Sequence, residues 1–423
     1  MKILYHIALK LYYSMSCVLG LFNKKASLFY HGRIGLLDMM RSQVVNTGDP
    51  ILWVHCASVG EFEQGRPLIE SYKQRNPSHK ILLTFFSPSG YELRKNYPLA
   101  EWVFYLPIDS KDNAVAFLDI VKPHMAIFIK YEFWFNYLYE LKHRGIPTYV
   151  ASAIFMPGQR FFRWYGGLFR QMLRNFTHLF VQDQASAALL HKIGIDNVTV
   201  SGDTRFDRVN QITIANGNVE HIRIFAQISP CWVAGSTWPI DEEMIAAIFH
   251  NLPFNKLIIA PHEVHHNHIA KICTYFSEYK VIKYSQIKDV KIDARIEARL
   301  REARVLIIDS IGILSKVYKY GSFAYIGGGF GAGIHNILEV STYGRPVIFG
   351  PKYKKFKEAV DLVGLGGAIS ITRIRDLNLH VNKFLSDDVM CGKCGAISRE
   401  YIEKNVGASE RVLDIISPIG NRQ

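Results

Sequence analysis

Acidic residues are in short supply in this chain of 423 residues. Only 37 Asp and Glu stand against 50 Lys and Arg, which gives a formal net charge of +13. An excess of positive charge this large favours anionic partners such as nucleic acids, acidic membrane surfaces or phosphorylated substrates. Low-complexity composition is also missing, and a hydrophobic content of 49% excludes a disordered or collagen-like protein. The length predicts two or three domains, each large enough for its own core.

Cysteine is scarce, with six residues in the chain. Most of them are single residues in apolar surroundings, which favours a reducing compartment over a disulfide framework. Cys391 and Cys394 have CxxC spacing, but no second CxxC and no suitably spaced histidine pair accompanies them. We interpret them as two loop thiols, with a zinc or redox site as the alternative.

Several signatures of catalysis are missing from the sequence. No GxxxxGK[ST] segment is present, which excludes a P-loop, and no Asp-x-Asp motif indicates a metal-bound nucleotide. The segment His262–His266 satisfies HExxH, but it directly follows a predicted strand, whereas a zinc hydrolase needs both histidines one turn apart in a helix. We therefore predict no metal ion and no cofactor.

A long apolar run opens the chain. Residues 3–22 are dominated by Leu, Ile, Tyr, Val and Phe, a length that could span a bilayer, although one His and one Lys interrupt it. Lys24, Lys25 and Arg33 follow, a basic flank that would keep the rest of the chain cytoplasmic or hold a flat-lying segment to anionic lipid. No small-residue cleavage site follows, so a removed signal peptide is disfavoured. We predict a membrane anchor over residues 1–24, with a buried helix as the alternative.

From residue 51 onward, short apolar runs alternate with amphipathic stretches. This pattern indicates parallel sheets covered by helices on both faces. The runs predicted as buried strands are 51–57, 80–86, 125–130, 148–153, 178–182 and 198–201, then 232–234, 256–260, 305–309, 322–326, 346–349 and 368–372. The alternation of apolar runs and amphipathic stretches is interrupted over 207–230. We place a linker there, between an N-terminal lobe (25–206) and a C-terminal lobe (231–423). We predict an α/β fold of two doubly wound, Rossmann-like lobes, with ligands in a cleft beyond the carboxyl ends of the strands.

Charged residues follow the strands of the first predicted lobe. Glu61 follows the first strand in the segment SVGE, where its carboxylate could accept a proton from a substrate hydroxyl or simply stabilise a helix N-terminus. Glu132, in the segment KYEFW, is either a second carboxylate of the cleft or a partner for a basic side chain. Arg205, in GDTRFD, has the fork geometry that suits a carboxylate or phosphate, or it forms a structural pair with an aspartate.

Glycines and small hydroxyl residues follow the strands of the second predicted lobe. One such segment is AGST, and another is Gly327–Gly333, which GIHNILE continues. Glycines after a strand let backbone N–H groups approach a phosphate, with the positive end of the next helix behind them. The spacing is not that of the dinucleotide fingerprint, and the segment occurs late in the chain.

As a set, these motifs resemble those of the 3-deoxy-D-manno-octulosonic acid (Kdo) transferases. SVGE, YEFW, GDTRFD, AGST and GGG…GIHNILE followed by GRPVIFGP occur in that family's order and spacing, over nearly the whole chain. The resemblance implies the two-lobed GT-B glycosyltransferase fold with an N-terminal membrane-associated helix. It also implies transfer of Kdo from CMP-Kdo to the lipid A precursor in lipopolysaccharide synthesis, on the cytoplasmic face of the inner membrane and without a nucleic-acid partner.

The resemblance also implies roles for individual residues. Glu61 matches the family's proton acceptor, and Glu132 matches a carboxylate assigned to transition-state stabilisation. Arg205 occupies the position of a lysine with that second stabilising role. The residues that match the family's CMP site are Pro261, His262, Ile311, Gly312, Ile313, Asn336, Ile337, Leu338 and Glu339.

Two positions of the CMP site depart from the family pattern. His262 replaces an arginine, so a fixed positive charge becomes a titratable one. Ile313 replaces a glutamate, so an acidic side chain is lost. The backbone of both segments can still contact CMP. The changed side chains constrain the choice of donor, between CMP-Kdo and a close relative of it, less strongly.

The implied reaction is inverting glycosyl transfer. The acceptor hydroxyl attacks the anomeric carbon opposite the departing nucleotide while Glu61 removes its proton. Helix N-termini of the second lobe and Arg205 would stabilise charge that develops on the phosphate. An arginine-rich stretch (Arg160, Arg163 and Arg170) suits delivery of a phosphate-bearing amphiphile, or is a solvated basic face. Two alternatives stay open: a nucleotide-sugar epimerase of the same architecture, and a non-catalytic membrane-associated binding protein.

Overall fold

The computed structural model describes residues 2–45, 48–215, 217–252 and 255–416. The chain divides into two units: the first runs up to Arg208 and resumes at Val406, and the second covers Val209–Asn405. Within the described ranges each unit contains one seven-stranded sheet, and every strand pairing in both sheets is parallel. The predicted α/β class with two doubly wound sheets is therefore confirmed.

The first unit alternates strands and helices. Its strands are β1 (Ile51–Cys56), β2 (Lys80–Phe85), β3 (Trp102–Tyr105), β4 (Met125–Ile129), β5 (Thr148–Ala153), β6 (His178–Val181) and β7 (Val198–Val200). Its helices are α1 (Lys2–Leu19), α2 (Lys24–His31), α3 (Leu36–Gln43), α4 (Val59–Arg75), α5 (Pro88–Arg94), α6 (Lys111–Val121), α7 (Phe135–His143), α8 (Gly167–Leu173), α9 (Gln184–His191) and α10 (Thr204–Ala215), which carries the chain into the second unit. The strand order is β3-β2-β1-β4-β5-β6-β7, so the topological switch point lies between β1 and β4.

The second unit repeats this plan. Its strands are β8 (Cys231–Thr237), β9 (Lys256–Pro261), β10 (Val281–Lys283), β11 (Val305–Ile307), β12 (Ala324–Ile326), β13 (Val347–Phe349) and β14 (Ala368–Ser370). Its helices are α11 (Glu220–Ala226), α12 (Pro239–Phe249), α13 (His266–Tyr275), α14 (Ala294–Glu302), α15 (Leu314–Val317), α16 (Leu338–Ser341), α17 (Lys357–Leu365), α18 (Ile374–Ser386) and α19 (Asp388–Asn405). The order β10-β11-β9-β8-β12-β13-β14 places the switch point between β8 and β12.

Central strands are the ones that the sequence marks most clearly. All six residues of β1 are buried, because helices cover both faces of the sheet and leave no position for a polar alternation. The two strands that were not predicted, β3 and β10, each lie at one edge of their sheet, whereas β7 and β14 at the opposite edges were predicted. Both are short, with four residues in β3 and three in β10, and both are partly exposed.

Two segments differ from their predicted places. The predicted linker 207–230 contains most of α10 and all of α11, whose Ile222 and Phe225 are buried in the second unit. The last described helix, α20 (Ala408–Ile416), belongs to the first unit, whereas the sequence assigned it to the C-terminal lobe. Backbone N–H groups of Gly407 and Ser409 donate to the carboxylate of Asp207 at 2.6 and 2.7 Å, which ties α20 to the start of α10.

The N-terminal apolar run forms α1, which packs on the first unit. Tyr5 Oη donates to the buried carboxylate of Asp109 at 2.5 Å, and burial raises the pKa of that carboxyl group. Tyr12 stacks on Phe86 with ring centroids 6.2 Å apart. The outward side of α1 is apolar, and Leu4 is 64% exposed. No helix within the described ranges is long and apolar enough to cross a membrane. Membrane attachment of α1 stays a prediction.

The CxxC cysteines lie in a helix, not in a loop. Cys391 and Cys394 both belong to α19, and Cys391 is buried with its Sγ 3.4 Å from the Ser322 carbonyl oxygen. All six cysteines are free thiols. Burial raises the pKa of the Cys391 thiol to about 11, which suppresses the thiolate form that metal binding and redox chemistry require.

Candidate active site

Two carboxylates of the first unit lie at the carboxyl ends of its two central strands. Glu61 is in the first turn of α4, directly after β1, and Glu132 follows β4 by three residues. Ligands of open α/β sheets bind at this edge beside the switch point. Burial raises the pKa of the Cys56 thiol at the end of β1, and the charges of Glu61 and Glu132 raise it further. Both predicted carboxylates therefore act on the same buried group.

Glu61 is half-buried and oriented by its neighbour. Ser58, the residue before α4, donates its hydroxyl hydrogen to Oε2 of Glu61. Among the described residues no hydrogen-bond donor reaches Oε1, so one oxygen of the carboxylate faces its surroundings unpaired. The first turn of a helix also stabilises an acidic side chain, so the alternative role considered from the sequence is satisfied as well.

Glu132 is held by a network of four residues, three of which lie outside the sequence motifs. Its Oε2 lies 2.9 Å from Nε1 of Trp134 and 3.1 Å from Nε2 of His55. The ring of His55 is fully buried on β1, and its Nδ1 lies 2.8 Å from Oγ1 of Thr84 on β2. Thr84 Oγ1 in turn accepts a hydrogen bond from Trp53 Nε1 at 2.8 Å.

One assignment of the hydrogen atoms gives every donor in this network an acceptor. Trp53 donates to Thr84, the Thr84 hydroxyl donates to His55 Nδ1, and His55 Nε2–H donates to Glu132. Trp134 Nε1–H donates to the same carboxylate oxygen at 2.9 Å and also lies 3.1 Å from His55 Nε2, which could instead accept this hydrogen. In this arrangement Oε2 of Glu132 accepts two hydrogen bonds, and each ring nitrogen of His55 has a partner. The basic partner considered from the sequence is therefore a histidine rather than a lysine or arginine.

Strained backbone occurs at the same sheet edges. Lys130, between β4 and Glu132, has φ +69°, and Ser236, near the end of β8, has φ +53°. Ser152 on β5 has φ +56° beside an irregularity in the pairing of β5 with β6. Non-glycine residues in this left-handed region cost free energy and cluster at functional sites. Lys130 lies two residues before Glu132, a predicted site residue, and Ser236 lies two residues before Trp238.

Arg205 forms the aspartate pair that the sequence left open. Its Nε donates to Asp203 Oδ2 at 2.8 Å, and its backbone N–H donates to Oδ1 at 2.9 Å. Gln64 of α4 donates to the same aspartate at 3.2 Å. Burial raises the pKa of the Tyr131 phenol, while the positive charge of Arg205 lowers it and the carboxylate of Glu61 raises it. Arg205 and Glu61 thus lie around one phenol, with the direction of the guanidinium group set by Asp203.

In the second unit the residues predicted to bind CMP follow adjacent strands. Pro261 ends β9 and His262 follows it, Ile311–Ile313 follow β11, and residues 336–339 follow the glycine segment after β12. The strands β11, β9, β8 and β12 are neighbours in the sheet, so these segments share one edge. Ile311 is 90% exposed and Gly312 has φ +91°, which an L-residue rarely adopts.

The third CMP segment has a capped first turn. Asn336 Oδ1 accepts the backbone N–H of Leu338 at 3.1 Å, and Asn336 Nδ2 donates to Glu339 Oε1 at 3.2 Å. Ile337 and Leu338 are buried in the core, so they can contribute to a ligand site only through their backbones. Asn336 and Glu339 remain the side chains of this segment that can meet a ligand.

The glycine segment has a packing role. A Cβ on Gly327 would lie 2.3 Å from the Ser236 carbonyl oxygen, and one on Gly329 would lie 2.6 Å from Cα of Gly350. The segment therefore needs glycine to lie against β8 and the end of β13. Gly328 has φ +90°, and its missing Cβ leaves room for the ring of His335.

Three rings gather beside this segment, and two of them were not predicted as site residues. Trp238 follows β8, His262 follows β9 and His335 follows β12. Trp238 Nε1 donates to His335 Nε2 at 3.0 Å, and the ring of His262 stacks on that of His335 with centroids 4.3 Å apart. Burial lowers the pKa of His335, and the charge of His262 lowers it further. The available signals were a tryptophan directly after β8 and a histidine within the segment GIHNILE, nine residues beyond the end of β12.

No group of three or more His, Cys, Asp or Glu side chains that could hold a metal ion occurs in the described part of the chain. The HExxH segment does not lie in one helix, because α13 begins at His266 and His262 lies in the preceding loop. The prediction that this match is not a zinc protease site agrees with this geometry.

Comparison with known proteins supports the resemblance seen in the motifs. Residues 30–208 match the family of 3-deoxy-D-manno-octulosonic-acid transferases (kdotransferases). The chain is 26% identical over 382 residues to such a transferase from Haemophilus influenzae (87% of this chain, 86% of that one) and 27% identical over 368 residues to one from Aquifex aeolicus (84% and 92%). A third, from Rickettsia bellii, is 28% identical over 381 residues (87% of both chains).

Solved structures agree on the fold. UDP-GlcNAc 2-epimerase from Neisseria meningitidis has a TM-score of 0.62 at 15% identity, covering 87% of this chain and 100% of its own. MurG from Acinetobacter baumannii has a TM-score of 0.54 at 10% identity, covering 87% and 99%. At such identities the likeness shows the fold alone.

Proposed function

We propose that this protein, a homologue of the Kdo transferases, is a glycosyltransferase that moves Kdo from CMP-Kdo to the lipid A precursor in lipopolysaccharide synthesis. The transfer inverts the configuration at the anomeric carbon and takes place at the cytoplasmic face of the inner membrane. The observation that carries the proposal is the pair of carboxylates, Glu61 and Glu132, at the switch point of the first sheet.

Glu61 is the proton acceptor. The acceptor hydroxyl oxygen attacks the anomeric carbon of Kdo, the bond from that carbon to the phosphate oxygen breaks, and CMP departs with the bonding electrons. The hydroxyl proton passes to the carboxylate of Glu61, whose other oxygen is held by Ser58. Because the base is already oriented, less conformational entropy is lost when the reacting groups come together.

Glu132 and Arg205 stabilise the transition state. The N–H groups of His55 and Trp134 hold the carboxylate of Glu132 in place, close to where positive charge develops on the sugar. Arg205, aimed by Asp203, meets the negative charge that develops on the departing phosphate. Charges that are oriented before the reaction need no reorganisation during it.

The nucleotide of the donor binds at the edge of the second sheet. His262, the exposed loop Ile311–Ile313 and the capped segment Asn336–Glu339 offer side-chain and backbone groups there. A nucleotide monophosphate carries less charge than a diphosphate, so its departure requires no metal ion in this mechanism.

The lipid acceptor reaches the first unit from the membrane. The exposed apolar side of α1 and its basic flank suit an interface with anionic lipid. A groove of about 420 Å³ between α1 and α2 is lined mainly by apolar side chains, Phe86 among them. The ring centroid of Phe86 lies 4.6 Å from that of Trp134, the residue that donates to Glu132. Apolar surface thus continues from α1 to the catalytic carboxylate.

The arginine-rich stretch offers a second place for lipid contact. Arg170 donates to the carbonyl oxygens of Phe161 and Arg163 at 3.0 and 2.9 Å. Its guanidinium group therefore stabilises the loop that contains these residues. That loop presents Trp164, which is 91% exposed, as expected of a residue that enters a lipid interface.

One incubation tests the proposed function against both alternatives. The purified protein is mixed with CMP-Kdo and lipid A precursor in mixed micelles, and the lipid is analysed by mass spectrometry. We expect a mass increase of one or more Kdo units with the wild type and none with Glu61→Gln. A protein that leaves the lipid unchanged but interconverts a nucleotide sugar would be an epimerase, and one that does neither while retaining lipid would be a binding protein.

A further inference from the structure

Trp238 and His335 of the second unit form one flat surface. Their ring planes are inclined by 13° with centroids 6.3 Å apart, and the hydrogen bond of 3.0 Å joins them edge to edge. The exposed ring of His262 lies over both, with centroids 4.7 Å from Trp238 and 4.3 Å from His335. The planes of His262 and its two neighbours differ by 26° and 25°, which is a stacked arrangement.

The edge-to-edge hydrogen bond fixes the protonation state of His335. An indole N–H can only donate, so Nε2 of His335 must accept and its proton resides on Nδ1. Protonation of Nε2 would set two N–H groups against each other. The lowered pKa of His335 agrees with a neutral ring. The carboxylate of Asp241 acts in the opposite direction but does not outweigh burial and the charge of His262.

Buried groups hold Trp238 in this position. Asp241 of α12 is fully buried and accepts the backbone N–H of Trp238 at 2.9 Å, the backbone N–H of Gly328 at 3.0 Å and the hydroxyl of Tyr325 at 2.6 Å. The same carboxylate therefore joins the end of β8, which carries Trp238, to the end of β12, which leads to His335. The surface under His262 is built into the framework of the sheet.

We propose that Trp238 is a positioning residue of the donor site, which holds His335 as a neutral Nδ1–H donor and carries His262 on its ring face. The nucleotide then meets two imidazoles of fixed orientation where an arginine is usual in the resembling family. A flat imidazole stacks on the two rings, and this stacking supplies the orientation that a guanidinium fork would otherwise gain from its own hydrogen bonds. The inference rests on the proposed function, because it presumes that CMP binds at this sheet edge.

The test compares the wild type with Trp238→Phe, which keeps an aromatic face but removes the N–H. CMP affinity is measured by calorimetry, and the ring nitrogens of His335 are observed by nitrogen-15 NMR, with His335→Gln to assign the signals. We expect wild-type Nε2 to give the signal of an unprotonated acceptor at pH 7 without CMP. In Trp238→Phe this signal should move towards a tautomer mixture, and CMP should bind about two- to tenfold more weakly, as the loss of one hydrogen bond implies.

Trp102→Phe is the matched control, because Trp102 Nε1 also donates over 3.0 Å, to the carbonyl oxygen of Gln43 in the first unit. This control should leave both CMP affinity and the His335 signals unchanged. Wild-type CMP binding combined with unchanged affinity in Trp238→Phe would overturn the inference alone, as would a wild-type His335 protonated at Nε2. A wild type that binds no CMP would overturn the proposed donor site and this inference with it.

Discussion

His55 Nε2 lies 3.1 Å from Glu132 Oε2, although 77 positions separate the two residues in the chain. They meet because β1 and β4 are neighbours at the switch point, with His55 opposite Phe128 in the register. The histidine is fully buried and its other nitrogen is occupied by Thr84. The carboxylate of Glu132, which follows β4, is thus contacted by a histidine of the neighbouring strand β1.

Replacement of His55 by Leu should lower turnover about 10- to 100-fold, because a hydrogen bond to a charged group contributes roughly 1.5–3 kcal/mol. His55→Gln, which retains an N–H donor, should recover part of the loss. Turnover is measured with CMP-Kdo and lipid acceptor. His124→Leu is the control, since His124 contacts the Ile51 carbonyl oxygen at the start of β1 and should affect stability only. Equal turnover in His55→Leu and wild type would remove this network from the mechanism.

Glu61→Gln should reduce transfer by about a hundred- to ten-thousand-fold, because an amide keeps the shape of the side chain but cannot accept the proton. CMP affinity should stay the same, since the nucleotide segments belong to the second unit. Glu63→Gln, two residues further along α4, removes an ion pair with Arg94 and Arg208 and should alter melting temperature instead. A Glu61→Gln variant that keeps more than about a tenth of wild-type turnover would contradict the general-base role.

Arg205→Ala should lower turnover by more than it weakens CMP binding, because a charge that meets the departing phosphate acts on the barrier. Arg205→Lys should keep an intermediate rate, since a cation remains without the fork that Asp203 orients. The rate and the CMP dissociation constant are compared for each variant. Arg208→Ala, one turn on in α10, is the control and should leave both unchanged. A parallel collapse of affinity and rate would make Arg205 a plain binding residue.

Leu4→Glu combined with Leu11→Glu should release the protein from vesicles of anionic lipid while the free energy of unfolding stays within about 0.5 kcal/mol, because both side chains are exposed. Tyr5→Phe should do the reverse: it removes a donor from buried Asp109 and costs about 1–3 kcal/mol without changing vesicle binding. Co-sedimentation and urea unfolding measure the two effects. Vesicle binding that survives both glutamates would place the lipid contact elsewhere.

Lys256→Met should stabilise the protein most below pH 8, with the difference from wild type shrinking as the pH rises towards 10.5. Burial lowers the pKa of Lys256 to about 8 from an ordinary 10.5. Between these values the unfolded chain binds more protons than the folded one, so wild-type stability rises with pH across that window. Urea unfolding at several pH values from 7 to 10 checks this. A difference that is constant over the range would show that Lys256 is charged in the folded protein throughout.

Local patterns in the chain were enough to predict most of the fold. Twelve of the fourteen described strands coincide with apolar runs, since a central parallel strand must be apolar on both faces. The strands β3 and β10 were missed, although β7 and β14, which are also edge strands, were predicted. The helix α20 was assigned to the wrong lobe because a short amphipathic helix does not reveal which core receives its apolar face.

The places of Glu61, Glu132 and Arg205 after β1, β4 and β7 were predictable from the sequence, whereas their roles stay predictions. Their partners were not predictable: His55, Thr84 and Trp53 lie within or beside apolar strands and carry no local mark of function. Likewise Trp238 and His335 are 97 positions apart and meet through the adjacency of β8 and β12. Apolar periodicity and turn residues are local properties and can be read from the chain itself. Which strand ends become neighbours depends on the order of strands in the sheet, and that order exists only once the whole chain has folded.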